Sequence, residues 1–112
     1  MSGEGIPTLD PVDCRGMRVA IVAALWHEQV MNGLIKGAQR ALGEFGVESW
    51  DLVRVPGSFE LPIAAQALAQ GDRDAVVALG VIIRGGTPHF DYVCHAATDG
   101  LNRVALDTQT PV

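Results

Sequence analysis

Apolar residues along this chain concentrate in three strand-like stretches, the first of them nearly continuous, and each is followed by a helix-like stretch. The first run is "MRVAIVAAL", residues 17–25. A strand of a parallel sheet is buried on both faces, so it reads as an unbroken apolar run rather than an alternating one. After it, Val30, Met31, Leu34, Ile35, Ala38, Leu42 and Phe45 fall on one face of a helix predicted over 28–45. Gly46 is placed to stop that helix, because glycine accepts the left-handed conformation that often follows one.

The cycle then repeats twice. "SWDLVRV", residues 49–55, predicts a second strand, and "PGS" turns the chain. "FELPIAAQALAQ", residues 59–70, predicts a second helix with Ser58 as its N-cap. Pro62 is tolerated there because the first turn of a helix has backbone donors without intrahelical partners. "DAVVALGVII", residues 74–83, predicts a third buried strand. The stretch 88–108 predicts a long third helix, with Thr87 as candidate N-cap and Pro88 at the first helical position. Three successive β-α units predict an α/β fold, with a parallel sheet, right-handed crossovers and helices on its faces.

Residues 1–16 carry Gly, Pro and Asp at close spacing and little apolar pattern, so they read as a tail or extended arm ahead of one domain, 17–112. Length allows a single domain at most, and an apolar content of 48% supports a real core. The net charge is -5 and no Lys/Arg cluster exists, which makes nucleic acid a poor partner. A phosphate group is compatible with that charge, because a helix N-terminus binds an anion locally. No signal peptide is legible and no apolar run reaches the roughly 20 residues of a membrane span, so a soluble, cytoplasmic protein without a membrane partner is expected. Cys14 and Cys94 share no metal or redox spacing and are expected as free thiols. The three histidines lack metal-site spacing, and no metal is assigned.

In a parallel sheet all strand C-termini share one edge, and ligands bind in the crevice outside it. The residues after the three strands are "WHE", "PGSFE" and "RGGTPH". Trp26 is either a core residue or a stacking platform for a flat heterocycle. His27 either caps or faces solvent. Gly57 and Ser58 bring backbone N–H groups to the start of the second helix. Glu60 either complements the helix dipole or accepts hydrogen bonds from a polyhydroxyl or amine-bearing ligand. Gly85, Gly86 and Thr87 form either a plain tight turn or a small anion-binding concavity. Arg84 either adds a bidentate donor there or pairs with an acid. Histidine at position 89 is a side-chain type suited to proton transfer beside a leaving group; the alternative for His89 is a helix residue packed on a neighbour. His95 lies inside the helix and reads as structural.

"VPGSFELP" and "RGGTPHFDYV", with an aromatic residue closing the first strand, closely resemble the lumazine synthase family from about residue 17 to residue 112. The resemblance implies a three-layer α/β/α sandwich around a parallel sheet, assembled as homopentamers or sixty-subunit shells with sites at subunit interfaces. It implies two small-molecule substrates, one phosphorylated, and neither metal nor organic cofactor. The amine of 5-amino-6-(D-ribitylamino)uracil condenses with the ketone of 3,4-dihydroxy-2-butanone 4-phosphate to give 6,7-dimethyl-8-ribityllumazine, releasing phosphate. By the same resemblance Trp26 stacks on the pyrimidine, and Ser58 and Glu60 hold the ribityl chain, with Gly57 beside them. Phe59 shapes the wall. Val81, Ile82 and Ile83 meet the uracil edge, partly through backbone groups. Gly85, Gly86 and Thr87 approach the phosphate, and His89 transfers protons. Position 86 is often larger or acidic in this family.

The family continues past the third helix with a fourth strand and further helices. In this sequence "TQTPV", residues 108–112, stands where that strand is expected to begin. The family's phosphate-binding arginine, and an aromatic residue lent by a neighbouring subunit, are expected beyond it. Two other readings fit parts of the pattern: an inactive fragment or self-assembling scaffold of the same family, and a flavodoxin-like module that binds flavin or nucleotide. The second does not need the paired turn motifs.

Overall fold

The computed structural model describes residues 4–112. Three parallel strands form one sheet in the order β2-β1-β3: β1 is Val19–Ala24, β2 is Trp50–Val55 and β3 is Ala75–Leu79. Three helices alternate with them: α1 is Glu28–Glu44, α2 is Leu61–Ala69 and α3 is His89–Thr108. The central strand β1 is buried along its whole length, as its unbroken apolar run predicts. Its side chains alternate between two cores. Val22 and Ala24 pack with Val55, Leu61, Ala65, Ala69, Val76 and Val104 on the α2/α3 face. Ala23 packs with Met31 and Ile35 under α1. The result is the expected α/β/α layering around a parallel sheet. Truncating Ile21, which is fully buried in β1, would remove about 2–5 kcal/mol of stability.

Local sequence explains the punctuation. Gly46 takes φ 83, and the N–H groups of Gly46 and Val47 donate to the carbonyls of Gly43 and Leu42, at 3.1 and 2.9 Å. This paired closure satisfies the last carbonyls of α1 and is open to glycine at little cost. Pro62 lies in the first turn of α2. Gly100 lets α3 approach α2 closely, since a Cβ there would sit 2.6 Å from Pro62 Cγ.

Four expectations change. The third strand ends at Leu79 rather than Ile83, and only Val76 of it is buried, the rest being half-buried. Gly80 passes so close to the second turn that a Cβ would stand 2.5 Å from Ser58 Oγ and 2.9 Å from Leu61 Cδ1, and this approach carries the chain out of the sheet. Ser58 does not cap α2. It opens a 3₁₀ turn, Ser58–Glu60, that comes before the helix, and its hydroxyl donates instead to the Val81 carbonyl at 3.4 Å. Thr87 caps nothing either: Pro88 occupies the N-cap position of α3, one residue before the place expected for it. Only part of the apolar face of α1 is covered, with Met31 and Ile35 buried but Val30 and Leu34 exposed.

Among the described residues of the arm, 4–16, there is neither helix nor strand, and Ile6, Leu9 and Val12 are exposed. Near its end, Cys14 N–H donates to the Phe45 carbonyl at 2.7 Å. The Arg15 guanidinium bonds the Asp13 carboxylate and holds it below the usual carboxylate range. Both cysteines are half-buried free thiols. After α3 the chain returns beside the sheet, and Val76 N–H donates to the Pro111 carbonyl at 2.9 Å. Among the described residues no helix is long and apolar enough to cross a membrane.

Candidate active site at the C-terminal edge of the sheet

The strand order β2-β1-β3 means that the chain leaves β1 towards one side and later crosses to the other. Such a reversal opens a crevice at the strand C-termini, where α/β folds bind ligands. All three predicted turns lie on this edge. Trp26 follows β1 and is 68% exposed, which excludes the core reading. After it, His27 takes a left-handed conformation, φ 58, and so turns the chain sharply into α1. Histidine tolerates this region better than bulky residues, but such strain persists only where the surroundings hold it.

The second turn supplies the centre of the site. Gly57 is buried, and a Cβ on it would stand 3.3 Å from Trp26 Cδ1 and 3.4 Å from Glu60 Oε2. Trp26 and Glu60 therefore converge over a position that only glycine leaves open. Glu60 Oε2 is buried and has no hydrogen-bond partner. A buried acceptor without a donor is costly, and a ligand N–H or O–H reaching it would remove that cost. Phe59 is 62% exposed beside it. Ser58 is buried, and its bond to the Val81 carbonyl ties the second turn to the third.

The third turn is more open. Val81 packs against the cluster under α1, and its carbonyl accepts from Ser58. Ile82 is half-buried and Ile83 exposed. Gly85, Gly86 and Thr87 are exposed, and neither glycine has a neighbour within 4 Å of where a Cβ would be. Their backbone is thus accessible to a small anion. Arg84 does not reach over them. Its guanidinium sits 4.3 Å from the Phe90 ring centroid and 3.6 Å from the Asp91 carboxylate, so of the two readings for Arg84 the pairing with an acid holds. His89 is exposed at the first residue of α3, and that helix packs against the Ser58–Glu60 turn. Trp26 and Glu60 approach the same point beside Gly57, and Ser58 is bonded to Val81 close to Gly80. The glycine turn and His89 lie on the same edge.

Two features escaped the sequence reading. Gly80 had a signal, since a glycine inside an apolar strand run marks a close backbone approach. Arg54, one residue before the end of β2, donates to the carbonyls of Ala23 and Ala24; its only signal was a lone arginine in an apolar strand. Two clefts lie away from this edge. One of about 320 Å³ is lined by Arg18, Trp50, Asp51, Asp72 and Arg73 at the opposite end of the strands. Its charges are engaged with one another, Arg18 with Asp72 and Arg73 with both Asp51 and Asp72.

Comparison with known proteins finds related sequences across the chain. A sequence profile of the family described as 6,7-dimethyl-8-ribityllumazine synthase matches residues 16–112. A protein of that name from Nocardioides sp. is 65% identical over 112 residues, covering all of this chain and 70% of the relative. Proteins of the same name from Kineococcus radiotolerans and Streptomyces avermitilis are 61% and 58% identical over 112 residues, again across the whole chain and 69% and 70% of their own lengths.

Proposed function

The chain belongs to the 6,7-dimethyl-8-ribityllumazine synthase family, and from that premise we propose that its sheet edge condenses 5-amino-6-(D-ribitylamino)uracil with 3,4-dihydroxy-2-butanone 4-phosphate. The observation that carries this reading is the meeting of an exposed Trp26 and the unpartnered Glu60 oxygen across Gly57. A flat pyrimidine stacks on Trp26, and its polyhydroxyl chain donates to Glu60. Ser58 keeps the second and third turns together, and Phe59 with Val81, Ile82 and Ile83 bounds the pocket. Gly85, Gly86 and Thr87 receive the phosphate through backbone N–H groups and the threonine hydroxyl.

The substrate amine is a competent nucleophile, so much of the acceleration comes from holding it against the ketone. Attack on the carbonyl carbon gives a carbinolamine, and loss of water gives the Schiff base. Elimination then breaks the C–O bond to phosphate, and closure by the second nitrogen forms the new ring with loss of another water. Each step moves protons, and His89 at the mouth of the phosphate turn takes and returns them. The arm, residues 1–16, is read as an extension outside the catalytic domain, 17–112.

Exposed Val30, Leu34, Phe59, Ile63 and Tyr92 give the monomer apolar surface that suits a homo-oligomer, a pentamer or a shell of sixty subunits. Free half-buried cysteines suit the reducing cytoplasm. The direct test is to incubate the protein with both substrates and follow lumazine absorbance together with free phosphate. Equal molar formation of both is expected; neither forming with intact, folded protein would overturn the reading.

A further inference from the structure

Arg54 lies at the same edge and is absent from every role assigned above. No carboxylate stands within ion-pair distance of it among the described residues. Its Nε donates to the Ala23 carbonyl at 3.3 Å and its Nη2 to the Ala24 carbonyl at 3.1 Å. Ala23 is its register partner, so the two side chains share the α1 face of the sheet, and the small alanine lets the guanidinium lie across the end of β1.

The backbone explains what the guanidinium does there. Leu25 N–H donates to the Val55 carbonyl, towards β2. Polar groups alternate along a strand, so Ala24 turns its carbonyl the other way, towards β3. The register sets Ala23 opposite Leu79, where β3 ends. The residue that would donate to Ala24 next in the ladder has left the sheet at Gly80. Ala24 is fully buried, and a buried carbonyl demands a donor. Arg54 supplies it. Two residues further on stands Trp26, followed by the left-handed turn at His27.

We propose that Arg54 is a positioning residue: by pinning the last two carbonyls of β1, it sets the direction in which Trp26 leaves the sheet and so the affinity for the pyrimidine substrate. The proposal rests on the reading of Trp26 as the pyrimidine platform. Arginine suits the task because its planar fork spans two carbonyls, whereas a lysine ammonium serves one as a point charge.

The test uses the whole chain in a Trp50→Phe background, which leaves Trp26 as the sole tryptophan. Arg54→Met and Arg54→Lys are compared with the parent. Without substrate, Trp26 fluorescence anisotropy is expected to fall and acrylamide quenching to rise in Arg54→Met, with Arg54→Lys between it and the parent. With substrates, KM for the pyrimidine is expected to rise about tenfold in Arg54→Met, part of what a stacked base contributes. KM for the ketone phosphate and kcat are expected to stay within about twofold, the pattern of lost ground-state binding. Unchanged anisotropy and quenching overturn the proposal, as does an equal rise in both KM values, which marks general loosening. If Arg54→Met does not fold, Arg54→Lys decides by the same readouts. Failure of the functional reading is separate: the parent would then form no lumazine, while the tryptophan signals would still judge Arg54.

Discussion

Trp26 and Glu60, which follow different strands, stand on either side of the missing side chain of Gly57: a methyl group there would lie 3.3 Å from Trp26 Cδ1 and 3.4 Å from Glu60 Oε2. The gap is narrow enough that one carbon changes the relation between the ring and the carboxylate. It is also placed where a flat ligand with hydrogen-bond donors would enter.

Gly57→Ala tests that gap without straining the backbone. Gly57 has φ -155, an extended conformation that alanine adopts freely. The ring must give by a few tenths of an ångström, while the carboxylate meets the new methyl at van der Waals distance. The expected outcome is an unfolding midpoint close to the parent's and a KM for the pyrimidine raised about tenfold, as small misplacements in a positioned site are costly. Steady-state kinetics beside a thermal melt check both.

Glu60→Gln should move stability and binding in opposite directions. The carboxylate oxygen Oε2 is buried without a partner, a cost of about 1 kcal/mol or more in the ligand-free protein that an amide, able to turn either a donor or an acceptor towards the site, can lessen. The same change weakens a strong acceptor for the ribityl hydroxyls. A raised melting temperature together with a raised KM is expected. A lowered melting temperature would show that Glu60 is a structural group.

His89→Ala is expected to lower kcat by about 10²- to 10⁴-fold, the range of a general acid–base group. His89 is exposed at the start of α3, so folding and assembly should survive. Size-exclusion chromatography and turnover under saturating substrates read the two effects. His95→Ala, one of the exposed positions further along α3, serves as the control and should leave kcat near the parent value.

Arg84→Ala should disturb the phosphate site little. Its guanidinium is drawn to Phe90 and Asp91, both on α3, rather than over the glycine turn. An exposed ion pair and an exposed cation–π contact are each worth about 1 kcal/mol or less. KM for the ketone phosphate is expected to change by less than about threefold, within that range of free energy. A loss of a hundredfold would mean that Arg84 swings to the phosphate when substrate binds.

The sequence alone determined the order of strands and helices, the burial of β1 and the family to which the chain belongs. β1 was legible because both its faces need apolar side chains, and a run from Val19 to Ala24 cannot be satisfied at a surface. α1 was legible from its spacing and its stop at Gly46, and the turn motifs carried the resemblance that the relatives bear out. These are local properties: the burial of a side chain depends mainly on its own chemistry and period. The tertiary structure decided which polar atom meets which. Ser58, a helix-capping type by sequence, bonds Val81; Arg84, with two partners open to it by sequence, takes Asp91; Arg54, a lone arginine in a strand, holds the end of β1. Each of those contacts joins a polar group to a turn, strand or helix whose position the local pattern does not specify. Their geometry follows from the register of three strands and from the point where β3 leaves the sheet at Gly80, and that point is set by the close approach of Ser58 and Leu61, about twenty residues away along the chain.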